Sequence, residues 1–582
     1  MKNPIFCSNF KPHFLIILPL MLFLLRGSAQ NQTAEPYDIL ISEFMADPTP
    51  VERLPNAEYI ELYNRSSKTI KLGGFKIVNG DKHSSNFPDI DFKPKSFIIV
   101  HERKSTANFK PFGDTIQLTK LPTLSNPNDI FHLISKENIV IDAASYDLSY
   151  YQSSSKAQGG WSLERINFNI SCTLNNWVAS KDSSGGTPGK KNSIYQDTVD
   201  KTAPQLILAY TDGNKKVVLN FDKSLDRKLT TEISHFSIDN DIKINNLKIL
   251  DTVFYKNYQI NLKDSLKKKI PYKLILKTTL KDCMGIPLSK SDTIILQLPE
   301  TPKRNDLIIN ELLINPEVGG SRFVEIYNRS MNVIDLFDIT VEETTKRDIK
   351  AITSHYPLFP KKYVVLTENP DYILKRYNAY MYKKAIIKNR LPSWSDLRGN
   401  VSLYENKSLI IDNFNYNKSF HNPLLANTEG VSLERINPNE STNSAANWHS
   451  AAASVLYATP AYQNSQLSTT PSVSSNNEEI FTLLNKTFSP NDDGFQDYLL
   501  MHYSIDKKGY LANISIYDIE GRLVKRLTIN ELLSTEGQFK WDGETEEKLV
   551  APVGTYIIYI ELINPDGSMK KFKKLCVLAD KF

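Results

Sequence analysis

Cysteine is nearly missing from this chain of 582 residues, which carries four. Cys7 lies in the extreme N-terminal segment, and Cys172, Cys283 and Cys576 fall far apart. No domain-sized stretch can close a disulfide of its own, so a disulfide-stapled scaffold is excluded and single buried thiols are expected. Histidine is scarce as well, at nine residues with no His-x-His pair, which argues against a metal centre built on imidazoles. The familiar catalytic words are absent: no Gly-x-Ser-x-Gly, no His-Glu-x-x-His, no phosphate-cradling Gly-x-x-x-x-Gly-Lys-[Ser/Thr]. Long helical periodicity is missing too; the best helix candidate is the short Asp371–Tyr377 stretch. The sequence thus nominates no catalytic, cofactor-binding or metal-ligating residue and no cofactor, and the expectation is that the protein is not an enzyme.

Only one long apolar run exists, Phe14 to Leu25, broken by Pro19. It follows Lys2 and Lys11 and precedes Gly27-Ser28-Ala29, the pattern of a secretory signal peptide over residues 1–29. A membrane span needs about 20 apolar residues, so no transmembrane segment is expected after its removal. Cleavage would take three positive charges (Lys2, Lys11 and Arg26) from the formal +5 of the whole chain, leaving +2. A nearly neutral surface has no general field for nucleic acid. The basic runs Lys267–Lys269 and Lys570–Lys574 read as turns and strand edges guarded against unwanted pairing.

What the chain does have is an internal repeat. The first copy opens Ile41-Ser42-Glu43, continues Tyr59-Ile60-Glu61-Leu62-Tyr63-Asn64-Arg65-Ser66, and closes Ser162-Leu163-Glu164-Arg165-Ile166-Asn167, Trp177 and Thr187-Pro188. The second opens Ile309-Asn310-Glu311, continues Phe323-Val324-Glu325-Ile326-Tyr327-Asn328-Arg329-Ser330, and closes Ser432-Leu433-Glu434-Arg435-Ile436-Asn437, Trp448 and Thr459-Pro460. A repeat this long is a duplicated domain and not a solenoid unit. The rest of the chain reads as short strand-like runs bounded by Asn, Asp, Gly and Pro turns, such as Ser96–Val100, Lys216–Phe221 and Gly554–Ile560. The expected fold is all-β: tandem Ig-like β-sandwiches joined by short linkers.

These repeated words resemble the lamin-tail domain in its bacterial, secreted form, over residues 36–196 and 304–466. The second copy has Ala458-Thr459-Pro460-Ala461 where the first has Gly186-Thr187-Pro188-Gly189, which leaves its C-terminal turn open. Residues 200–300, with Phe221-Asp222-Lys223-Ser224-Leu225-Asp226 and Leu280-Lys281-Asp282-Cys283-Met284-Gly285, resemble a bacterial Ig-like domain. A Ser/Thr/Asn-rich segment from Asn464 to Asn477 reads as a flexible linker, bounded here as 467–480. Residues 481–582, with Thr487–Asp497, Ile514–Val524 and Phe539–Gly543, resemble the Ig-like C-terminal domains of secreted Bacteroidetes proteins, of gliding-motility and hook-capping type. That resemblance implies a role as a type IX sorting signal.

Three features invite a binding or structural reading. Alternation places Ile60 and Leu62 on the core face and Tyr59, Glu61 and Tyr63 on the other, with Phe323, Glu325 and Tyr327 matching them in the second copy. Such a strip would suit recognition of a sugar, peptide or polymer. Alternatively, Glu61 pairs with Arg165 and Glu325 with Arg435, fastening distant strands under a covering loop. The turn Asn491–Asp497 partly fits a calcium loop around Gly494, but Ser489 and Leu500 break the template, so an Asx-rich turn competes with it. The expectation is a secreted, bacterial cell-surface or outer-membrane-associated binding or scaffold protein, with an adhesion-like role for its paired lamin-tail repeats. Its partner would be an unknown surface polymer or protein. Two other readings stand beside it: a carbohydrate-binding or enzyme-associated accessory protein, and an extracellular nucleic-acid or phosphodiester-processing protein.

Overall fold

The computed structural model describes residues 33–105, 109–169, 172–173, 176–198, 200–228, 232–406, 408–468, 479–505 and 508–580. The expected signal peptide and most of the expected 467–480 linker lie outside these residues. The fold is all-β, and no helix among the described residues is long and apolar enough to cross a membrane. The chain forms two compact units, one of residues up to Thr202 with Thr252–Phe254, the other of Ala203–Asp251 with Tyr255 onward.

In the first unit a six-stranded sheet runs in the order Trp177–Ala179, Leu163–Arg165, Ile39–Met45, Tyr59–Asn64, Phe97–Glu102, Thr115–Leu118. A four-stranded sheet of Val140–Asp147, Asn128–Ile134, Lys76–Asn79 and Lys82–His83 packs on it. Alternation supplies the layer between them: Ile39, Ile41, Ile60, Leu62, Phe131, Leu133 and Trp177 share one core. Phe44 sits at its centre, with ring centroids 5.1 Å from Phe131, 4.9 Å from Tyr146 and 5.0 Å from Trp177.

One ion pair spans the two sheets. Arg165 donates from Nη2 to Asp142 Oδ2 at 2.5 Å and from Nε to Ile41 O at 2.7 Å, and Asp142 also accepts Ile41 N–H at 2.7 Å. Both side chains are about 2% exposed. Burial pushes Asp142 up and Arg165 down, each opposed by its partner, so the pair specifies geometry more than it adds stability.

The second unit contains three successive sandwiches. The first sets Leu206–Thr211, Lys216–Phe221, Asn257–Leu262 and Ile244–Ile249 against Phe236–Ile238, Tyr272–Leu276 and Asp292–Leu296. Buried Asp282 caps its own turn, accepting Met284 and Ile286 N–H, and faces Lys223 at 3.3 Å.

The next sandwich repeats the plan of the first unit. Its six-stranded sheet runs Trp448–Ser450, Leu433–Arg435, Leu307–Leu313, Phe323–Asn328, Tyr363–Thr367, Ile386–Lys388, against Leu409–Asn417, Arg398–Glu405, Ile339–Glu343 and Asp348–Ala351. Arg435 and Asp412 reproduce the buried pair at 3.2 Å. The one helix expected here forms over Pro370–Arg376, where Asn369 Oδ1 accepts Tyr372 N–H and proline occupies the first turn.

The last sandwich pairs Phe481–Leu483, Leu499–Ser504 and Glu536–Trp541 in one sheet. The other holds Thr487–Phe488, Met569–Leu578, Gly554–Ile563, Leu511–Asp518 and Leu523–Leu532. Among the described residues only Val577 and Leu578 of Met569–Leu578 pair with the neighbouring Thr487–Phe488, and exposed Lys571 and Lys573 lie along the rest of that edge. Charge there disfavours pairing with another chain.

Neighbouring sandwiches of this unit touch through specific contacts. His355 is stacked between Tyr210 and Phe337, at 4.2 and 4.3 Å between centroids, and Gln466 Nε2 donates to Leu533 O at 3.1 Å. Two sequence expectations need correction. Asn464 and Gln466, at the head of the Ser/Thr/Asn-rich segment, are buried, because their amides are bonded into the repeat. Cys172 and Cys283 are each disulfide-bonded, and among the described residues Cys576 alone is a buried free thiol, its pKa pushed up to about 12 by burial.

Asp142→Ala strands Arg165 without a counter-charge in the core, and should cost about 3–5 kcal/mol in denaturant-induced unfolding of the first unit. Glu520→Ala, which removes an exposed pair with Arg522, should leave the unfolding curve nearly unchanged.

Candidate functional site

Three glutamates meet on the other face of each six-stranded sheet. Register places Glu43 opposite both Glu61 and Glu164, so one row of carboxylates crosses three adjacent strands. Glu311, Glu325 and Glu434 form the same row in the second repeat. All six are fully buried. A bulge between Ile41 and Glu43 turns Ser42 toward this row as well, and Asn310 occupies its place in the second copy.

The row is sealed by the segment that closes each repeat. Glu43 Oε1 accepts the Tyr59 hydroxyl at 2.6 Å and Thr187 N–H at 2.8 Å. Glu61 Oε1 accepts Ser42 Oγ–H at 2.7 Å, and its Oε2 accepts Gly189 N–H. Glu164 Oε2 accepts Ile194 N–H at 3.1 Å. Asn192 Nδ2 then donates to Ser42 O and Arg165 O. In the second repeat Thr459, Ala461 and Gln466 N–H groups bond Glu311, Glu325 and Glu434, and Asn464 Nδ2 donates to Asn310 O and Arg435 O.

Protons are needed in this row. Thr187 Oγ1 lies 2.9 Å from Glu43 Oε2 and 3.0 Å from Glu164 Oε1, yet a hydroxyl donates only one hydrogen. Thr459 bridges Glu311 and Glu434 identically, at 3.2 and 2.8 Å. The second contact at each threonine requires a protonated carboxyl. Burial, reinforced by Glu164, pushes Glu43 up to about 7; burial with Glu434 pushes Glu311 up to about 8. Glu61 and Glu325 are held well above the usual carboxylate range by burial and by their neighbours Glu43 and Glu311. Burial raises Glu434 as well.

This geometry overturns the expected Glu61–Arg165 and Glu325–Arg435 pairs. Glu164 and Arg165 are consecutive in a strand and point to opposite faces, so Arg165 reaches Asp142 in the main core while the glutamates share the other side. The aromatic strip is not open either. Tyr59 is buried beneath Phe109 and Phe323 beside Ile373 and Tyr377, while half-buried Tyr63 stacks on Phe168 at 4.5 Å. Ile60 and Leu62 do face the main core as read, and the opposite face lies under a covering segment as the structural reading expects, with glutamates and N–H groups in place of the arginine pairs. The signal that could have found the row was present, since a glutamate sits in each of the three anchors of both copies.

Two further readings resolve locally. In Asn491–Asp497, Asp497 accepts N–H groups of Asp493 and Gly494, and Asp493 Oδ1 accepts Phe495 N–H at 2.8 Å, the geometry of an Asx turn. Among the described residues no group of three or more His, Cys, Asp or Glu is placed to hold a metal ion. The open question at the end of the second repeat also closes: Ala461 adopts φ +70° where Gly189 has +81°, and both N–H groups reach the equivalent glutamate.

Residues 32–147 match the family model of the Lamin Tail Domain. That match covers the first sandwich up to its Asp142 strand and stops before the closing segment. No curated protein matches the chain. Solved structures with some likeness include the N-terminal part of the bacterial S-layer protein SbsC, at 16% identity over 28% of this chain and 40% of that one, TM-score 0.16. A longer rSbsC structure gives 9% identity over 65% and 55%, TM-score 0.16. A tetra-tandem repeat from the extending region of a large adhesion protein gives 8% over 93% and 99%, TM-score 0.11. This chain therefore spans about half or less of the two S-layer structures.

A carboxyl that binds its proton more tightly folded than unfolded stabilises the fold below about pH 4.5 and loses that contribution as pH rises through its folded value. Thermal midpoints should therefore fall between about pH 6.5 and 8.5, by at most about 1.4 kcal/mol per pH unit per group. His421, pushed down to about 4 by burial, acts oppositely, but its effect is complete above its ordinary 6.5. The double variant Glu43→Gln/Glu311→Gln mimics the protonated forms and should flatten the slope; an unchanged slope would remove the carboxylates as its source. Gly189→Ala would set a Cβ 1.8 Å from Phe112 O at a left-handed φ, and should lower first-unit stability by about 2–3 kcal/mol.

Proposed function

We propose that the chain is a secreted, surface-associated binding or scaffold protein without catalytic activity, whose two repeats are its interaction modules. In this reading the second repeat is a lamin-tail domain like the first, and residues 200–300 act as a spacer. The last sandwich acts in export and sorting. One observation carries the proposal: the main contacts of the internal frame recur in both repeats while the surface above it differs. Glu row, closing threonine, bridging asparagine and Arg–Asp pair all recur. Yet Pro36 and Tyr37 stand where the second copy has Arg304 and Asn305. A frame sealed from water offers no substrate access, and a duplicated scaffold with diverging surfaces suits binding. Two linked modules also raise avidity without new contacts.

Mature chain, residues 30–582, should cosediment saturably with cell-envelope fragments. A chain beginning at Ala203 keeps one repeat and should be retained at least about 10²-fold more weakly. Equal retention would remove the paired-module reading, and no retention of the mature chain would remove the function. Fractionation of cells making a chain that ends before Thr487 tests the sorting role, since surface display should then be lost.

A further inference from the structure

Above the Arg435–Asp412 pair of the second repeat the surface opens into a recess of about 520 Å³, within the usual range of ligand pockets. Its floor is already bonded. Arg435 Nη2 reaches Asp412 and Thr442 Oγ1, its Nε reaches Ile309 O, and Thr442 Oγ1 donates to Asp412 Oδ1 at 2.6 Å.

The rim has unused donors. Arg304 lines the recess and makes no hydrogen bond or ion pair among the described residues. Arg329 uses Nε on Asn305 O at 3.1 Å and leaves both terminal nitrogens free. The carboxamides of Asn305 and Asn439, also on the lining, have no bonded partner among the described residues. One carboxylate at the rim, Glu440, opposes the two arginines, so a single positive charge remains.

Two of these donors, Arg304 and Asn305, belong to the second repeat alone. Asn305 N–H bonds Ile411 O at 2.7 Å as Tyr37 N–H bonds Ile141 O at 2.8 Å, and Arg65 Nε bonds Tyr37 O just as Arg329 bonds Asn305 O. The backbone frame is therefore equivalent. In the first repeat, however, Pro36 and buried Tyr37 stand at the positions of Arg304 and Asn305, and Ala143 replaces Asn413. The second copy has gained polar groups over a frame that does not need them.

Their chemistry selects a ligand. Guanidinium forks match carboxylates bidentately, and carboxamides both donate to and accept from hydroxyls. No aromatic side chain lines the recess, which leaves nucleobases without a stacking platform, and one net charge is little for a phosphate backbone. We propose that this recess binds a uronic acid unit of an acidic polysaccharide, with Arg304 and Arg329 on the carboxylate and Asn305 and Asn439 on ring hydroxyls. The proposal rests on the surface-binding reading and names its ligand class.

Calorimetric titration of mature chain with trigalacturonate tests it, with maltotriose and sodium sulfate as comparison ligands. Saturable binding of trigalacturonate is expected, with neither comparison ligand matching it. Arg304→Ala and Asn439→Ala remove side chains that hold nothing else, so their thermal unfolding should be unchanged. Arg304→Ala should weaken binding about 10- to 100-fold. Absence of trigalacturonate binding, equal binding of maltotriose or sulfate, or undiminished affinity in Arg304→Ala would each overturn the site. Envelope cosedimentation of Arg304→Ala separates the two levels. Retention at wild-type strength with no uronate binding by either protein overturns the recess and leaves the scaffold reading standing; loss of retention by both proteins overturns both.

Discussion

Each repeat depends on three carboxylates lined up across three strands. Like charges directly opposite on a sheet repel, and burial removes the water that would screen them. The row is tolerable only because a proton is shared across the Thr187 bridge and its members accept N–H groups from the segment that closes the domain. That dependence runs both ways. Without the Thr187–Ile194 segment the glutamates would be open to water, and without the glutamates the segment's N–H groups would be buried unpaired. The last stretch of each repeat is therefore part of its core, although it forms almost no regular structure.

The opposite face is held differently. There the Arg165–Asp142 pair joins the two sheets through the backbone of Ile41, in the same strand whose outer edge carries Glu43. Arginine and glutamate, adjacent at 164 and 165, serve opposite faces because strand side chains alternate. One short stretch of sequence thus anchors both layers, which explains why Ser-Leu-Glu-Arg-Ile-Asn appears intact in both copies.

The second unit shows how such a frame is elaborated. Its repeat replaces the packing of Tyr59 on Phe109 with Phe323 against Ile373 of a short helix, and exchanges Gly189 for a left-handed Ala461. The first change removes the Tyr59 hydroxyl that bonds Glu43, while the second keeps the N–H bond to the glutamate. It also carries neighbours on its flanks, through the His355 stack and the Gln466 and Asn422 hydrogen bonds. Stability that comes from an internal, sealed network leaves the outer surface free to vary, and the rim at Arg304 and Asn305 is where it has done so.

Alternation and turn chemistry are local, so the sequence alone determined the strand-rich fold, the inward faces of Ile60 and Leu62, the short helix after Asn369 and the duplication itself. It placed glutamates at three anchors without showing that they meet, because their approach is a matter of register between strands far apart in the chain. The same separation hid Arg165 from Asp142 and suggested Glu61 instead. Only the tertiary structure decided which segment covers the second face of the sheet, since that segment has no hydrophobic period to betray it. It also decided that Arg304 and Asn305 of the second repeat line a recess over the Arg435–Asp412 pair. That outcome turns on contacts between residues far apart in the chain, which no local pattern records.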